Sequence, residues 1–207
     1  MNVFRRVLYD GRTRQVEVDD KLLLSIHRQI LQEKRLLRSA FLDFYREMTG
    51  ACDRHFEGEG TEIELGSGAG FLKDVRPQVV TTDVRSAPHI DRHLDAMNMA
   101  LSDRSARCVY AINVFHHLPD PDRFFQELLR VLVPGGGCVL IEPHSGPLSS
   151  IVHKRLHKDE YFDPDESGWK NDKIRGPLSG ANQALAHMSS VAIGPCSSSA
   201  IRNCRFC

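Results

Sequence analysis

The 207-residue sequence lacks an excess of either charge, since 27 basic and 27 acidic residues give a formal net charge of zero. A balanced chain has no overall electrostatic attraction for nucleic acid or for an anionic membrane surface. It also lacks any apolar run close to the roughly 20 residues that a membrane span requires. We therefore expect neither a nucleic-acid partner nor a membrane span, and the composition leaves the oligomeric state open.

The N-terminal stretch MNVFRRVLYDGRTRQ lacks the apolar core and the small-residue cleavage site of a signal peptide. Two of the six cysteines, Cys108 and Cys138, lie in apolar runs and are typical of small core residues. These features predict a reduced, cytoplasmic protein. No metal site is predicted, because His153 and His157, which would share a helix face, have no third ligand nearby in the sequence.

Strand-like and helix-like segments alternate along the middle of the chain. Apolar residues at helical spacing predict one bent helix or two helices over 21–48, after a short hairpin whose strands would be 3–9 and 15–18. Further helices are predicted at 71–75 and, with Asp120 as N-cap, at 121–132. The predicted strands are 61–65, 79–83, 89–95, 108–113 and 138–142.

This alternation predicts an α/β fold, a Rossmann-like, doubly wound and mostly parallel sheet. We divide the chain into an N-terminal hairpin and helical segment (1–56), a ligand-binding core (57–146), an acceptor-side segment (147–187) and an atypical tail (188–207).

The stretch IELGSGAGF places Gly66, Gly68 and Gly70 at alternate positions behind a carboxylate, Glu64, directly after the first predicted strand. Ligands of such sheets bind beyond the carboxyl ends of the strands, and bare glycines allow close approach to the backbone. The spacing is G-x-G-x-G rather than the G-x-G-x-x-G of dinucleotide sites, and a carboxylate at Glu64 favours a ligand that carries a cationic amine. An NAD or nucleotide-sugar site remains the alternative at this point.

Two further acids follow predicted strands in register with this loop. Asp83 comes roughly 20 residues after the loop, at the spacing typical of an acid that binds a ribose diol. Asp95 follows the third strand, where it could accept a hydrogen bond from an adenine amino group. Both residues would be ordinary turn or cap residues if they stood alone.

Four segments together resemble the class I S-adenosylmethionine-dependent methyltransferases of the small-molecule type: IELGSGAGF, TTDV, DAMNMALSDRSARCVYAINVFHHLPDP and LLRVLVPGGGCVLIEP. The resemblance covers residues 61–143. It implies S-adenosylmethionine as cofactor, a small-molecule methyl acceptor and a seven-stranded sheet. The cofactor contacts that it implies are Glu64, Gly66, Ser67, Gly68, Gly70, Asp83, Asp95, Ala96 and Asn113. The chain departs from the family pattern at Ala106-Arg107, where an aromatic-acidic pair is usual.

His116 and His117 follow the fourth predicted strand, near the expected methyl group, and either histidine could act as a base at neutral pH. Phe115 could border the sulfonium, although core packing also explains it. Residues after Pro143 occupy the place where many relatives cover the acceptor. The candidate acceptor contacts there are His144, His153, His157, Tyr161 and Trp169. A non-catalytic scaffold protein with the same fold is a further alternative.

The C-terminal tail differs in composition from the rest of the chain. No Asp or Glu occurs from Lys173 to Cys207, and three of the six cysteines lie in the last twelve residues. Family members have two more strands after this point, so we expect the C-terminal strands to be incomplete. Residues 188–207 are interpreted either as an altered reading frame or as a divergent, disordered tail.

Overall fold

The computed structural model of the protein describes residues 10–13, 16–143, 160–163 and 170–185. Within these ranges, five strands form one sheet in the order β3–β2–β1–β4–β5, and all four neighbouring pairs are parallel. The strands are β1 (Thr61–Leu65), β2 (Val80–Asp83), β3 (Arg92–His93), β4 (Ala106–Ile112) and β5 (Leu132–Ile141). The strand order reverses direction at β1, which is the switch point at which parallel sheets bind ligands.

The described ranges contain three α-helices. Helices α1 (Leu22–Glu33) and α2 (Arg35–His55) follow one another with only Lys34 between them, so the predicted helical stretch forms two helices. Helix α3 (Pro121–Val131) begins where the sequence predicts, and the Asp120 carboxylate accepts a hydrogen bond from the Arg123 backbone N–H at 3.3 Å. No helix in the described ranges is both long enough and apolar enough to cross a bilayer.

The alternation of side chains along β4 divides the core into two layers. Cys108 and Tyr110 pack with residues of α2, among them Met48 and Cys52. Val109 and Ala111 pack with residues of α3 on the opposite face. Helices therefore cover both faces, and the predicted doubly wound α/β architecture is confirmed. The expected mostly parallel sheet is entirely parallel over the described residues.

Several predicted elements differ from the observed ones. Residues 16–18, predicted as the second strand of a hairpin, form a bend and a turn after a 3-10 helix at Gly11–Thr13, and the first strand of that hairpin lies outside the described residues. The helix predicted at 71–75 is a single 3-10 turn, Leu72–Asp74.

The fifth strand begins earlier than predicted and contains a bulge. Leu132 pairs with Ala106, and the next pair is Gly137 with Cys108, so residues 133–136 lie opposite Arg107 alone. The glycines after Pro134, predicted to end the helix, instead supply this bulge in the strand. Beyond it, β5 leads to Glu142, next to the end of β4.

Candidate functional site

The glycine loop after β1 is a left-handed turn joined to β2. Gly66, Gly68 and Gly70 have φ values of +57°, +53° and +60°, a region that side chains other than glycine adopt at a cost. The Ser67 backbone N–H donates to the Thr82 carbonyl at 2.8 Å, and the Thr82 N–H donates to the Ser67 hydroxyl at 3.0 Å. The loop is therefore held in place by the neighbouring strand before any ligand binds.

The three glycines have different surroundings. A Cβ atom on Gly66 would lie 2.5 Å from Cγ2 of Val114, so packing requires glycine there. A Cβ atom on Gly68 would make only an ordinary contact, 3.7 Å from the Gly66 carbonyl oxygen. Gly70 lies outside the walls of both cavities described next, and Arg28 donates to its carbonyl group.

Two adjoining cavities open at the carboxyl ends of β1, β2 and β4. Their volumes are about 790 and 300 Å³. Both are lined by Gly66, Arg85, Asn113, His117 and Leu178, so these residues form a common wall. Among the predicted cofactor contacts, Glu64, Ser67 and Gly68 line the larger cavity, and Asp83, Asp95 and Ala96 line the smaller one.

Glu64 is a buried carboxyl group with an unused oxygen in the larger cavity. The residue is 3% exposed, and its Oε2 atom has no hydrogen-bond partner among the described residues. Burial raises the pKa of Glu64 from its usual value of 4.5 to about 8, although the hydroxyls of Ser67 and Tyr45 oppose this effect. Ionising this buried carboxyl group without a partner is costly, and a cationic ligand group at this position would offset that cost.

Asp83 is buried at the end of β2 and is already hydrogen-bonded on both oxygens. Its Oδ2 accepts from the Gly68 N–H at 3.2 Å, and its Oδ1 accepts from the backbone N–H of Arg85 at 2.9 Å and from the Arg85 Nε at 3.2 Å. The acid is thus fixed in place with capacity left to accept from ligand hydroxyls. The Nη1 atom of Arg85 is buried and has no partner in the described part of the chain.

The remaining predicted cofactor residues lie at the edge of the smaller cavity. Asp95 accepts from the Met97 N–H at 2.8 Å, which fixes the turn after β3. Ala96 is buried beside it. Asn113 directly follows β4 and has a φ of +56°, rare for a residue with a side chain, which turns the chain between the two cavities.

His116 is held in place by a carboxylate from the end of β5. Its Nδ1 atom lies 2.5 Å from Glu142 Oε2, and Glu142 Oε1 accepts from the backbone N–H groups of Val114 and Phe115 at 2.9 and 2.8 Å. These contacts fix the orientation of the imidazole, which is 2% exposed and lines the larger cavity.

His117 lies against His116, with 4.2 Å between the ring centroids. Burial, and then the positive charges possible on His116 and Arg85, lower the pKa of His117 to about 4, so the ring is neutral at physiological pH. Its Nε2 atom is 3.9 Å from Oε1 of Glu160, a residue that also lines the larger cavity.

Other candidates for acceptor contact have different positions. Phe115 is buried among Phe124 and Phe125 in the core and lines neither cavity, which supports the packing interpretation. Tyr161 also lines neither cavity and lies beneath the Lys173 ammonium. His144, His153, His157 and Trp169, as well as the tail 188–207, lie outside the described residues.

Sequence reasoning missed Tyr45, Arg85, Glu142 and Glu160 as site residues. Glu142 is the last residue of the predicted strand 138–142, and Arg85 lies two residues after the predicted strand 79–83, so their positions at the carboxyl edge of the sheet were a usable signal. Tyr45 was interpreted only as part of an apolar helical stripe, and nothing in the local sequence indicates that Glu160 reaches the same cavity.

Residues 33–140 match the family model of the methyltransferase domain. A rice (Oryza sativa subsp. japonica) protein, cycloartenol-C-24-methyltransferase 1, is 40% identical over 70 residues, which are 32% of this chain and 20% of the rice protein. The chain thus spans about a fifth of the length of this curated relative.

Solved structures of methyltransferases also resemble the chain, at low identity. One is a Methanococcus maripaludis protein whose assignment as an S-adenosylmethionine-dependent methyltransferase is inferred, with 19% identity, a TM-score of 0.49 and coverage of 72% of this chain and 76% of that one. Another is an S-adenosylmethionine-dependent methyltransferase from Thermotoga maritima, with 20% identity, a TM-score of 0.47 and coverage of 66% and 70%.

The family match covers more than half of the chain and includes β1 to β4, most of β5, Glu64 and Asp83. The chain therefore belongs to the methyltransferase domain family, and the resemblance to the class I S-adenosylmethionine-dependent methyltransferases is confirmed. The residues present fit that cofactor, since the unpaired Glu64 oxygen is suited to an amino group and the buried Asp83 to ribose hydroxyls.

Proposed function

We propose that the chain transfers a methyl group from S-adenosylmethionine to a small-molecule acceptor with a largely apolar body. The observation that carries this proposal is the Glu64 oxygen, buried without a partner among the described residues beside the glycine loop. An amino acid ammonium would favour the ionised form of this buried carboxyl group and be attracted to it, whereas the phosphates of a dinucleotide would favour only its neutral form. The alternative NAD or nucleotide-sugar site is therefore disfavoured.

The chain's own residues would hold the cofactor across both cavities. Glu64 and the backbone of Gly66 to Gly68 would hold the methionine portion, Asp83 the ribose hydroxyls, and Asp95 with Ala96 the adenine. Asn113 lines both cavities and would lie between the methionine portion and the nucleoside portion of the cofactor. When bound, S-adenosylmethionine supplies a methyl group on a sulfonium, and the protein's task is alignment and exclusion of water.

The acceptor would occupy the rest of the larger cavity, whose outer wall is formed by α1 and α2. Apolar side chains dominate this wall: Leu23, Leu24, Ile30, Leu31, Leu37 and Phe41. Such a surface favours an apolar molecule through burial of its hydrocarbon area. The name of the rice relative also specifies an apolar substrate, cycloartenol, which supports the same class of acceptor for this chain.

An acceptor that must lose a proton would need a base close to the methyl group, which we expect near the carboxyl end of β4. His116 is the candidate, because Glu142 orients its ring and would stabilise the imidazolium that forms. His117 is the second candidate and is neutral in the free protein.

Calorimetry of the purified chain with S-adenosylmethionine and, separately, with NAD tests the cofactor assignment. We expect binding of the first and none of the second. A labelled-methyl screen over apolar alcohols, phenols, thiols and amines then tests transfer. Binding without transfer to any acceptor would favour the scaffold alternative, and NAD binding would contradict the proposal.

A further inference from the structure

Three potential metal ligands meet in the wall of the larger cavity. His116 and His117 lie on a 3-10 turn after β4, and Glu160 comes from a segment more than 40 positions later. One nitrogen of each imidazole and one oxygen of the carboxylate all lie within 4.8 Å of one another. We propose that His116, His117 and Glu160 bind one divalent transition-metal ion such as Zn²⁺.

The spacing of the three groups suits an ion better than a direct contact. The 3.9 Å between His117 Nε2 and Glu160 Oε1 is too long for a hydrogen bond. Ligand atoms about 2.0–2.1 Å from a tetrahedral zinc are roughly 3.3 Å from one another. Small side-chain rotations would therefore close the cluster around an ion.

The groups behind the ligands also fit a metal site. A metal-bound histidine typically gives its second ring nitrogen to a carboxylate, and His116 has such a partner in Glu142. Glu142 is itself fixed by two backbone N–H groups. The corresponding nitrogen of His117, Nδ1, is buried and has no partner among the described residues, so His116 is the ligand whose orientation the protein fixes.

The local charges permit a cation. Arg85 lies near enough to His117 to lower its pKa and would oppose an ion. However, Arg85 is paired with Asp83, and each histidine has a carboxylate near it, Glu142 beside His116 and Glu160 beside His117. The set of two histidines and one glutamate is also a known zinc ligand set with an open coordination position.

An open position would face the larger cavity, since all three ligands line its wall. If the proposed methyltransferase function holds, an acceptor with an oxygen or sulfur donor would bind the ion there, and the ion would then activate it in place of His116 or His117 as a base. Only this consequence rests on the proposed function, because binding of the ion itself needs neither cofactor nor acceptor.

Titration of the metal-free full chain with Co²⁺, followed by visible absorption, tests the site directly, and equilibrium dialysis gives the Zn²⁺ stoichiometry. We expect one ion per chain, with an absorption spectrum of nitrogen and oxygen ligands. His117→Ala and Glu160→Gln should each abolish or strongly weaken binding, and Glu142→Gln should weaken it about 10–100-fold. The matched control is His93→Ala, which removes an exposed histidine on β3.

The tail cysteines need their own control, since thiolates also bind these ions. Cys204→Ser with Cys207→Ser should leave the spectrum unchanged. The proposal is overturned if Zn²⁺ affinity survives in either His117→Ala or Glu160→Gln, or if the signal is a thiolate charge-transfer band lost with the cysteines. Thermal melts and calorimetry with S-adenosylmethionine on the same samples show separately whether the variants fold and whether the cofactor assignment holds.

Discussion

Two glutamates on strand β1 point to the same face of the sheet and are almost equally buried, but their surroundings differ. Glu62 is 6% exposed and Glu64 is 3% exposed. The carboxylate of Glu62 accepts from Arg76 at 2.8 Å, Arg107 at 2.7 Å and the Tyr110 hydroxyl at 2.9 Å. Glu64, two residues further on, has an oxygen with no partner in the described residues.

The comparison indicates that Glu62 stabilises the fold, whereas Glu64 serves ligand binding. At the amino end of β1 the protein supplies cations that complete the Glu62 network. At the carboxyl end it supplies a cavity, so Glu64 is buried at a cost in stability that only a ligand can offset. The matched pair allows the same substitution to be made twice, with opposite expected results.

Of the substitutions considered, Glu62→Gln should change the free energy of unfolding most. The substitution removes the negative charge between Arg76 and Arg107 while keeping the side-chain size, and loss of one partner of a buried ion pair costs about 3–5 kcal/mol. The free energy of unfolding from chemical denaturation should fall by that amount. A loss below about 1 kcal/mol would mean that Asp53, which also pairs with both arginines, is sufficient.

Glu64→Gln should instead raise the stability of the free protein near neutral pH. The pKa of Glu64 is raised from 4.5 to about 8, so its contribution to stability is fully present below pH 4.5 and is lost as the pH rises to 8. The glutamine variant lacks this loss and should gain up to about 3 kcal/mol at pH 7, and almost nothing at pH 4. Denaturation at both pH values measures the difference.

The same residue should release a proton when the cofactor binds. An ammonium group beside Glu64 favours the ionised carboxylate, and the free protein holds that carboxyl protonated at pH 7. Calorimetry in buffers of different ionisation enthalpy should show proton release on binding S-adenosylmethionine. Glu64→Gln serves as the control, since its binding should be weaker and should release no proton from this position. Equal release by both proteins would contradict the assignment.

Asp83→Ala tests the ribose assignment and should have an intermediate effect. A hydrogen bond to a charged group contributes about 1.5–3 kcal/mol, so the affinity for S-adenosylmethionine should fall by about that amount. Asp103→Ala is the control, since that exposed carboxylate pairs with Arg130 and lines neither cavity. Unchanged affinity of the folded Asp83→Ala protein would remove Asp83 from the cofactor site.

Local signals were sufficient for much of the fold and for the cofactor half of the site. Strand β1 was predicted with its observed bounds, and α3 with its Asp120 N-cap, because a short apolar run and a capping residue act over a few positions. The glycine loop and Asp83 were recognised from their spacing after strands. Parallel topology then brings the ends of those strands together without further information.

The wrong predictions concern segments whose conformation depends on contacts with residues far away in the sequence. The Asp10-Gly11 pair favours a hairpin locally, but Arg12 instead forms an ion pair with Glu33 on α1, and residues 16–18 adopt a turn. The glycines 135–137 were interpreted as the end of a helix. Their observed position follows from close packing, since a Cβ atom on Gly137 would lie 2.3 Å from the Phe56 ring. The acceptor side depends on such distant contacts, which is why Glu160 was missed.

Gly68→Ala should change the affinity for S-adenosylmethionine least among these substitutions. Together with Gly66→Ala it shows which loop glycine is required by the ligand and which by packing of the protein. A methyl group at Gly68 meets no protein atom closer than 3.7 Å, so the main cost to folding is the φ of +53°, about 1–2 kcal/mol. Gly66→Ala has a comparable φ but places its methyl group 2.5 Å from Val114, so it should lose more stability. If Gly68 faces the cofactor, its methyl group should weaken S-adenosylmethionine binding by about 1 kcal/mol even at a temperature where the variant is fully folded. Calorimetry together with thermal melts of both variants measures the two effects separately. Normal affinity in folded Gly68→Ala would show that the cofactor does not approach the loop at this residue, and would leave Glu64 as the loop's contact.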